Sequence, residues 1–335
     1  MTATDRACLL ARRLRAVTTV SVAAAMSLAA CGGSSTTASP AAASTPAAIA
    51  SAGDPAHDKL AQVLARGTLV LSTDLAYPPQ SEQVKGAQRP KETRCLATQL
   101  TAPEVDGYDA ETGKLVAAKL GVEPCFVTPQ WSEIVSGSWG DRWDIAWGSG
   151  AINGDRMTRL WMTQPYRSEP SRFFVKADSP YQKAAELSGK KIGVCSGCTH
   201  ELYLKRQLVL PGIDFTYQVD NPTIAGFDVE APGLQAVADG KIDAFLCAET
   251  EGQNAINSGL PLRALDPPAF TSMLTGFVDK KSGLADAAFV AKVNAIMAGL
   301  HADGSMTKLS EKTYKADYAT KAGEFDLSII GQSVT

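Results

Sequence analysis

The chain has little of what most enzymes depend on. It holds three histidines in 335 residues, His57, His200 and His301, with no GxxxxGK phosphate loop and no GxSxG nucleophile elbow. Those absences argue against the commonest general base, nucleotide hydrolysis and elbow-type acyl transfer. A basic excess is missing too. Taking the four arginines and one aspartate of residues 1–31 from the 32 basic and 35 acidic residues leaves 28 against 34, a net charge of −6. That balance does not suit nucleic acid or an anionic membrane surface as a partner. Nor is there a long hydrophobic run, because the apolar stretch from Ala16 to Ala30 is too short and too alanine-rich to span a bilayer.

That stretch has another reading. Arg6, Arg12, Arg13 and Arg15 precede it, and it closes on Leu28-Ala29-Ala30-Cys31, which is similar to a bacterial lipobox. The expectation is a signal peptide over residues 1–31 with Cys31 lipidated. The exported chain would then be anchored by lipid to the outer face of the cytoplasmic membrane. Residues 32–57 carry almost no bulky core formers and read as a flexible linker. About 275 residues remain, more than one core usually holds, so two lobes are expected.

Strand and helix signals alternate over that remainder, which argues for an α/β fold. Thr68–Ser72, Trp143–Trp147, Lys190–Cys195 and Ile242–Cys247 read as strands. Gly107–Leu120, Thr199–Leu210 and Gly233–Asp239 read as helices, with Gly113 a weak point in the first. Phe289, Val293, Ile296, Met297 and Leu300 recur at helical spacing and are assigned to the core.

The stretch DIAWGSGAINGDRMTRLWMTQPY, Asp144 to Tyr166, places Arg156 just beyond a strand and a Gly/Ser turn. A guanidinium there can grip a carboxylate through two parallel hydrogen bonds while turn N–H groups complete the cradle. With GTLVLSTDLAYPP, GYDAETGKLVAAKLG, LSGKKIGVCSGCTHELYL, ADGKIDAFL and HADGSMTKLSEKTY in this order, the chain resembles the polar amino-acid-binding family of bacterial solute-binding proteins, the receptors of ABC importers. The resemblance covers roughly residues 58–320.

It implies a two-lobed periplasmic-binding-protein fold of type II, each lobe a mostly parallel sheet flanked by helices, joined by two hinge strands. Lobe 1 would hold residues 58–170 and 276–335, lobe 2 residues 171–265, and a return hinge residues 266–275. The solute would bind between closing lobes and pass to an ABC permease, with no cofactor. Arg156 and Thr199 would take its carboxylate, helped by Gly148 and Ser149. Asp74 and Tyr77 would select its side chain, and Trp131 would cover it. Thr199 also opens a helix, where free N–H groups favour an anion. Two departures stand out. Ala151 replaces a hydroxyl, and Ala248 occupies the place of the acidic residue that receives the α-ammonium, so that either Glu249 supplies the carboxylate from a shifted register or the ligand carries no α-ammonium. Residues 78–106 form an insertion at the expected cleft mouth.

Five cysteines follow Cys31. Cys95 with Cys125 would staple the insertion, whereas the pairing among Cys195, Cys198 and Cys247 stays open. Cys-x-x-Cys with His200 and Cys247 also contains zinc-ligand types, although no metal is expected because the segment already serves as an anion-binding turn. Two alternatives accompany the receptor. One is a dehydratase-like enzyme with Asp74 and Glu249 facing across the cleft as acids, and the other is a lipid-anchored sensor of a non-amino-acid carboxylate.

Overall fold

The computed structural model describes residues 53–332, so the signal peptide, the lipidation at Cys31 and most of the linker lie outside the described residues. Among the described residues no helix is long and apolar enough to cross a membrane.

The apolar strand signals assemble into one large mixed sheet. From one edge its order is Thr223–Phe227, Lys191–Cys195, Ala244–Ala248, Arg167–Lys176, Phe270–Asp279, Ile145–Ala151, Thr68–Ser72, Glu123–Val127 and Leu100–Thr101. Each half contains a parallel block. Thr68–Ser72 pairs in parallel with Glu123–Val127 and Ile145–Ala151, and Lys191–Cys195 does so with Thr223–Phe227 and Ala244–Ala248. Thr68–Ser72 and Ala244–Ala248, inside their blocks, are buried along their whole length, which explains their continuous apolar runs, whereas the outer strand Thr223–Phe227 stays partly exposed. Between the blocks lie two antiparallel ten-residue strands, Arg167–Lys176 and Phe270–Asp279. Both are shared. The first pairs onward with Ala244–Ala248, and the second with Ile145–Ala151.

Helices cover the sheet and close four apolar clusters. The helix Ala287–Ala302 buries Phe289, Val293, Met297 and Leu300 in the cluster that also holds Leu69, Leu71 and Trp147, each such side chain contributing roughly 1.5–3 kcal/mol of transfer free energy. The helix Tyr108–Leu120 runs through Gly113 for a packing reason. A Cβ there would sit 2.7 Å from Leu71 Cδ2 and 3.4 Å from Trp147 Cδ1, so the small residue permits close approach to the sheet.

Several boundaries shift from the expected ones. The helix begun by Thr199 stops at Leu204 and not Leu210, with Arg206 turning into positive φ. The helix expected from Gly233 begins at Glu230. The strand placed at Trp143–Trp147 runs over Ile145–Ala151, which carries Gly148 and Ser149 into the sheet. The insertion is tied down by the Cys95–Cys125 disulfide. Arg89 also gathers the carbonyls of Cys95, Leu96 and Gln99 at 2.7, 2.9 and 2.7 Å. Its start reaches the other block, where Gln80 Nε2 donates to Thr250 and Asn254 Nδ2 to the Pro78 carbonyl.

Candidate functional site

Strand C-termini from both blocks open on one cleft of about 700 Å³, including the space continuous with solvent, at the crevice where open α/β sheets take ligands. Asp74, Tyr77, Trp131, Gly148, Ser149, Arg156 and Thr199 all line it.

Arg156 sits on a single helical turn, Gly154–Met157. Asn153 caps that turn by accepting from the Arg156 N–H at 2.9 Å. The side chain is 3% exposed. Its Nη1 donates to the Ala151 carbonyl at 3.0 Å and its Nη2 to the Gly197 carbonyl at 3.5 Å. Trp131 and Phe277 present their rings 4.8 and 5.7 Å from the guanidinium carbon. Among the described residues no carboxylate comes within ion-pair distance of Arg156. Burial pulls its pKa down to about 9, with Asp155 giving partial relief. A buried cation held by carbonyls and ring faces is electrostatically incomplete and favours an incoming anion.

Thr199 opens its helix beside that guanidinium. Its Oγ1 accepts from Asn153 Nδ2 at 3.3 Å, one of the contacts joining the two sides of the cleft. Trp131 Nε1 makes another, donating to the Gly197 carbonyl at 3.4 Å. Ser149 lines the cleft but turns its polar groups into the framework. Held at a positive φ of 51°, its N–H donates to Tyr166 Oη at 2.7 Å and its hydroxyl to Asp109 at 2.6 Å, while Arg167 donates to that hydroxyl at 2.7 Å. Asp109 is pushed up to about 6 by burial.

Glu249 departs from its expected place. It is absent from the cleft wall and is held elsewhere by Arg172 and by Tyr318, whose hydroxyl donates at 3.1 Å. The carboxylates at the cleft are instead Asp74, Glu169, Asp228 and Glu230, with Glu251 buried close behind them. Glu169 pairs with Arg167 at 3.0 Å. Glu230 is raised to about 7 by burial and then by Asp74, and Glu251 to about 8 by burial and then by Glu230, Glu169 and Asp74. Tyr77 faces the same group, and burial followed by Glu230 holds its phenol well above the usual range. Asp74 was expected at the cleft, whereas sequence reasoning missed Glu169, Asp228, Glu230 and Glu251, although for three of these four a signal was present. Asp228 and Glu230 follow the parallel strand Thr223–Phe227 and Glu251 the parallel strand Ala244–Ala248, at the C-terminal ends where ligands bind in such sheets, whereas Glu169 lies within the antiparallel strand Arg167–Lys176.

His200 and Ser171 also line the cleft. His200 Nε2 lies 3.0 Å from the Ser171 hydroxyl, and burial followed by Arg156 pulls its pKa down to about 3, so the ring is neutral. Cys195 and Cys198, both cleft residues, are joined to each other, which leaves Cys247 as the free, buried thiol among the described residues. Burial, then Glu251 and Glu230, holds that thiol protonated. The two bonded sulfurs and a Glu230 oxygen lie within 4.8 Å of one another, but sulfurs joined to each other are not thiolate ligands. Neither His200 nor Cys247 belongs to that group.

A family model described as bacterial extracellular solute-binding proteins, family 3, matches residues 97–316. The chain is 25% identical over 260 residues to the L-cystine-binding protein TcyJ of Escherichia coli, covering 77% of this chain and 86% of that one. It is 24% identical over 258 residues to the L-arginine-binding protein of Pseudomonas aeruginosa, covering 76% and 95%. Among solved structures, a protein crystallised with L-arginine matches with a TM-score of 0.66 at 17% identity, covering 82% of this chain and 99% of that one. An ancestral amino acid-binding protein, described as a precursor of cyclohexadienyl dehydratase, matches with a TM-score of 0.61 at 22% identity, covering 77% and 99%. At such identities the structural matches show a shared fold.

Proposed function

Since the chain belongs to family 3 of the bacterial extracellular solute-binding proteins, we propose that it captures an amino acid in this cleft and hands it to an ABC permease. The observation that carries the reading is Arg156, buried, without an ion-pair partner among the described residues, and lining the cleft together with Asp74, Glu169, Asp228 and Glu230. A zwitterion completes both sides at once, its carboxylate on Arg156 with the Thr199 N–H and its ammonium toward the acidic wall. Trp131 covers the ligand, and Asp74 and Tyr77 meet its side chain.

The shared strands Arg167–Lys176 and Phe270–Asp279 serve in this reading as hinges between lobe 1, residues 58–170 with 276–335, and lobe 2, residues 171–265, with residues 266–275 as the return. A ligand touching both lobes shifts the open and closed populations, because only differential contacts can do so. The family supports export, and the Arg-rich leader ending at Cys31 supports a lipid anchor on the outer face of the cytoplasmic membrane.

The dehydratase-like alternative required Asp74 and Glu249 to face each other, and Glu249 is engaged with Arg172 and Tyr318 away from the cleft wall. Titration calorimetry of the full chain against the common amino acids, their deaminated acids and their decarboxylated amines tests the proposal. Binding of an amino acid, lost in both truncated analogues, is the expected result. Equal binding of the deaminated acid moves the ligand to another carboxylate class, and conversion of a bound acid to product establishes an enzyme.

A further inference from the structure

The two disulfides among the described residues are placed to different ends. Cys95–Cys125, with a sequence separation of 30, ties down the insertion and takes no part in the cleft wall. Cys195–Cys198 has a separation of 3, so it removes less chain entropy and contributes less as a staple. It lines the cleft instead. Cys195 ends the strand Lys191–Cys195 and is 5% exposed, whereas Cys198 is half-buried and stands immediately before the helix that Thr199 opens.

The anion anchor packs on the same turn. Arg156 Nη2 donates to the Gly197 carbonyl at 3.5 Å, and Trp131 Nε1 donates to it at 3.4 Å. Gly197, between the two cysteines, runs at a positive φ of 71°, and a Cβ there would stand 4.0 Å from Trp131 Cδ1. A carboxylate seated on Arg156 therefore rests beside the disulfide. A Glu230 carboxylate oxygen lies within 4.8 Å of both sulfurs, so an acid–base group stands at that bond.

We infer that this disulfide is a thiol-exchange site, at which a small carboxylate bearing a thiol, held by Arg156, forms a mixed disulfide with Cys198 and releases Cys195. This goes beyond reversible capture and rests on Arg156 as the carboxylate anchor. The ligand's thiolate sulfur attacks Cys198 Sγ, the more open of the two, and a ligand–Cys198 bond forms as the Cys195–Cys198 bond breaks. The ligand sulfur is oxidised to the disulfide level, Cys195 is reduced to a thiol, and the proton lost by the ligand passes through Glu230 to Cys195. No outside oxidant or reductant enters. Burial, then Asp74, raises Glu230 to about 7, so near neutral pH it takes up a proton and returns it readily. Cys247 does not compete as the nucleophile, because it is buried and held protonated.

The full chain, its free thiols first blocked with iodoacetamide, is mixed with L-cysteine or with cysteamine, a thiol of similar acidity that lacks the carboxylate. Acid quenching, labelling of newly freed thiols and peptide mass spectrometry then follow the reaction. L-Cysteine should attach to Cys198 with fresh label on Cys195, at least about tenfold faster than cysteamine, because the anchor raises its effective concentration. Excess L-serine, which has a hydroxyl in place of the thiol, should slow L-cysteine and leave cysteamine unchanged. Arg156→Ala should bring the two rates together, and Glu230→Gln should slow the L-cysteine reaction without changing its final yield. Equal rates for the two thiols on the parent chain, or adducts at cysteines other than Cys198, overturn the exchange site. A disulfide that stays intact under L-cysteine while calorimetry records amino-acid binding overturns the exchange and leaves the receptor reading standing. No adduct and no binding by any amino acid overturns both.

Discussion

Arg156 and Arg167 are both buried beside the same cleft, at 3% and 0% exposure, yet they are held in opposite ways. Arg167 is enclosed by Glu169, the hydroxyls of Ser149 and Tyr314, and the rings of Tyr108 and Tyr314 at 5.7 and 5.1 Å. Burial alone would lower its pKa, but Glu169, Tyr314 and Asp109 outweigh that and raise it well above the usual value. Arg156 has only carbonyls and aromatic faces, and its pKa moves the other way. The first arginine completes the protein, and the second awaits something the protein does not supply. For a buried charge, the partner set says more about function than the depth of burial.

The contrast is open to four tests. Arg167→Ala should have the largest effect, because it strands Glu169 among Asp109 and the cleft acids. A loss of about 3–5 kcal/mol of folding stability is expected, read as a fall of roughly 10 °C or more in melting temperature. A change of only a degree or two would deny the scaffold role. Arg156→Ala should instead leave the melting temperature of the unliganded chain nearly unchanged while lowering amino-acid affinity by at least about 100-fold. Retained affinity would show that the anion anchor lies elsewhere. Trp131→Ala removes one ring over the guanidinium and the covering face for the ligand, so calorimetry should record roughly a tenfold loss of affinity. Glu249→Gln should be the mildest. With its carboxylate turned to Arg172 and Tyr318, affinity should stay within about twofold of the parent, accompanied by a small loss of stability.

Much of this arrangement is legible before folding. The buried strands Thr68–Ser72, Lys191–Cys195 and Ala244–Ala248 show themselves as short apolar runs, and the helix Ala287–Ala302 by its recurring apolar face. Arg156 stands out because strand, Gly/Ser turn and arginine follow each other within one local segment, and Cys95–Cys125 pairs as expected. The helix Lys59–Arg66, capped by Asp58, escaped the reading even though the capping signal was present.

The acidic wall was less legible for a geometric reason. Ala248 ends a strand and caps the helix Glu249–Asn257, and residues two apart on a helix point to nearly opposite sides, about 200° apart. Glu249 therefore turns toward Arg172 and Glu251 toward Asp74, Glu169 and Glu230. No linear reading could assign those directions without the helix start.

Sequence alone determined the alternation of elements, the segment that presents Arg156 and the acidic balance of the chain, because each depends on neighbours within a few residues or on simple counting. The tertiary structure decided which arginine is satisfied, which glutamates meet at the cleft and which cysteine stays free. Those outcomes depend on charges and sulfurs drawn together from distant strands, and the energies involved arise only when burial strips away the water that would otherwise screen them.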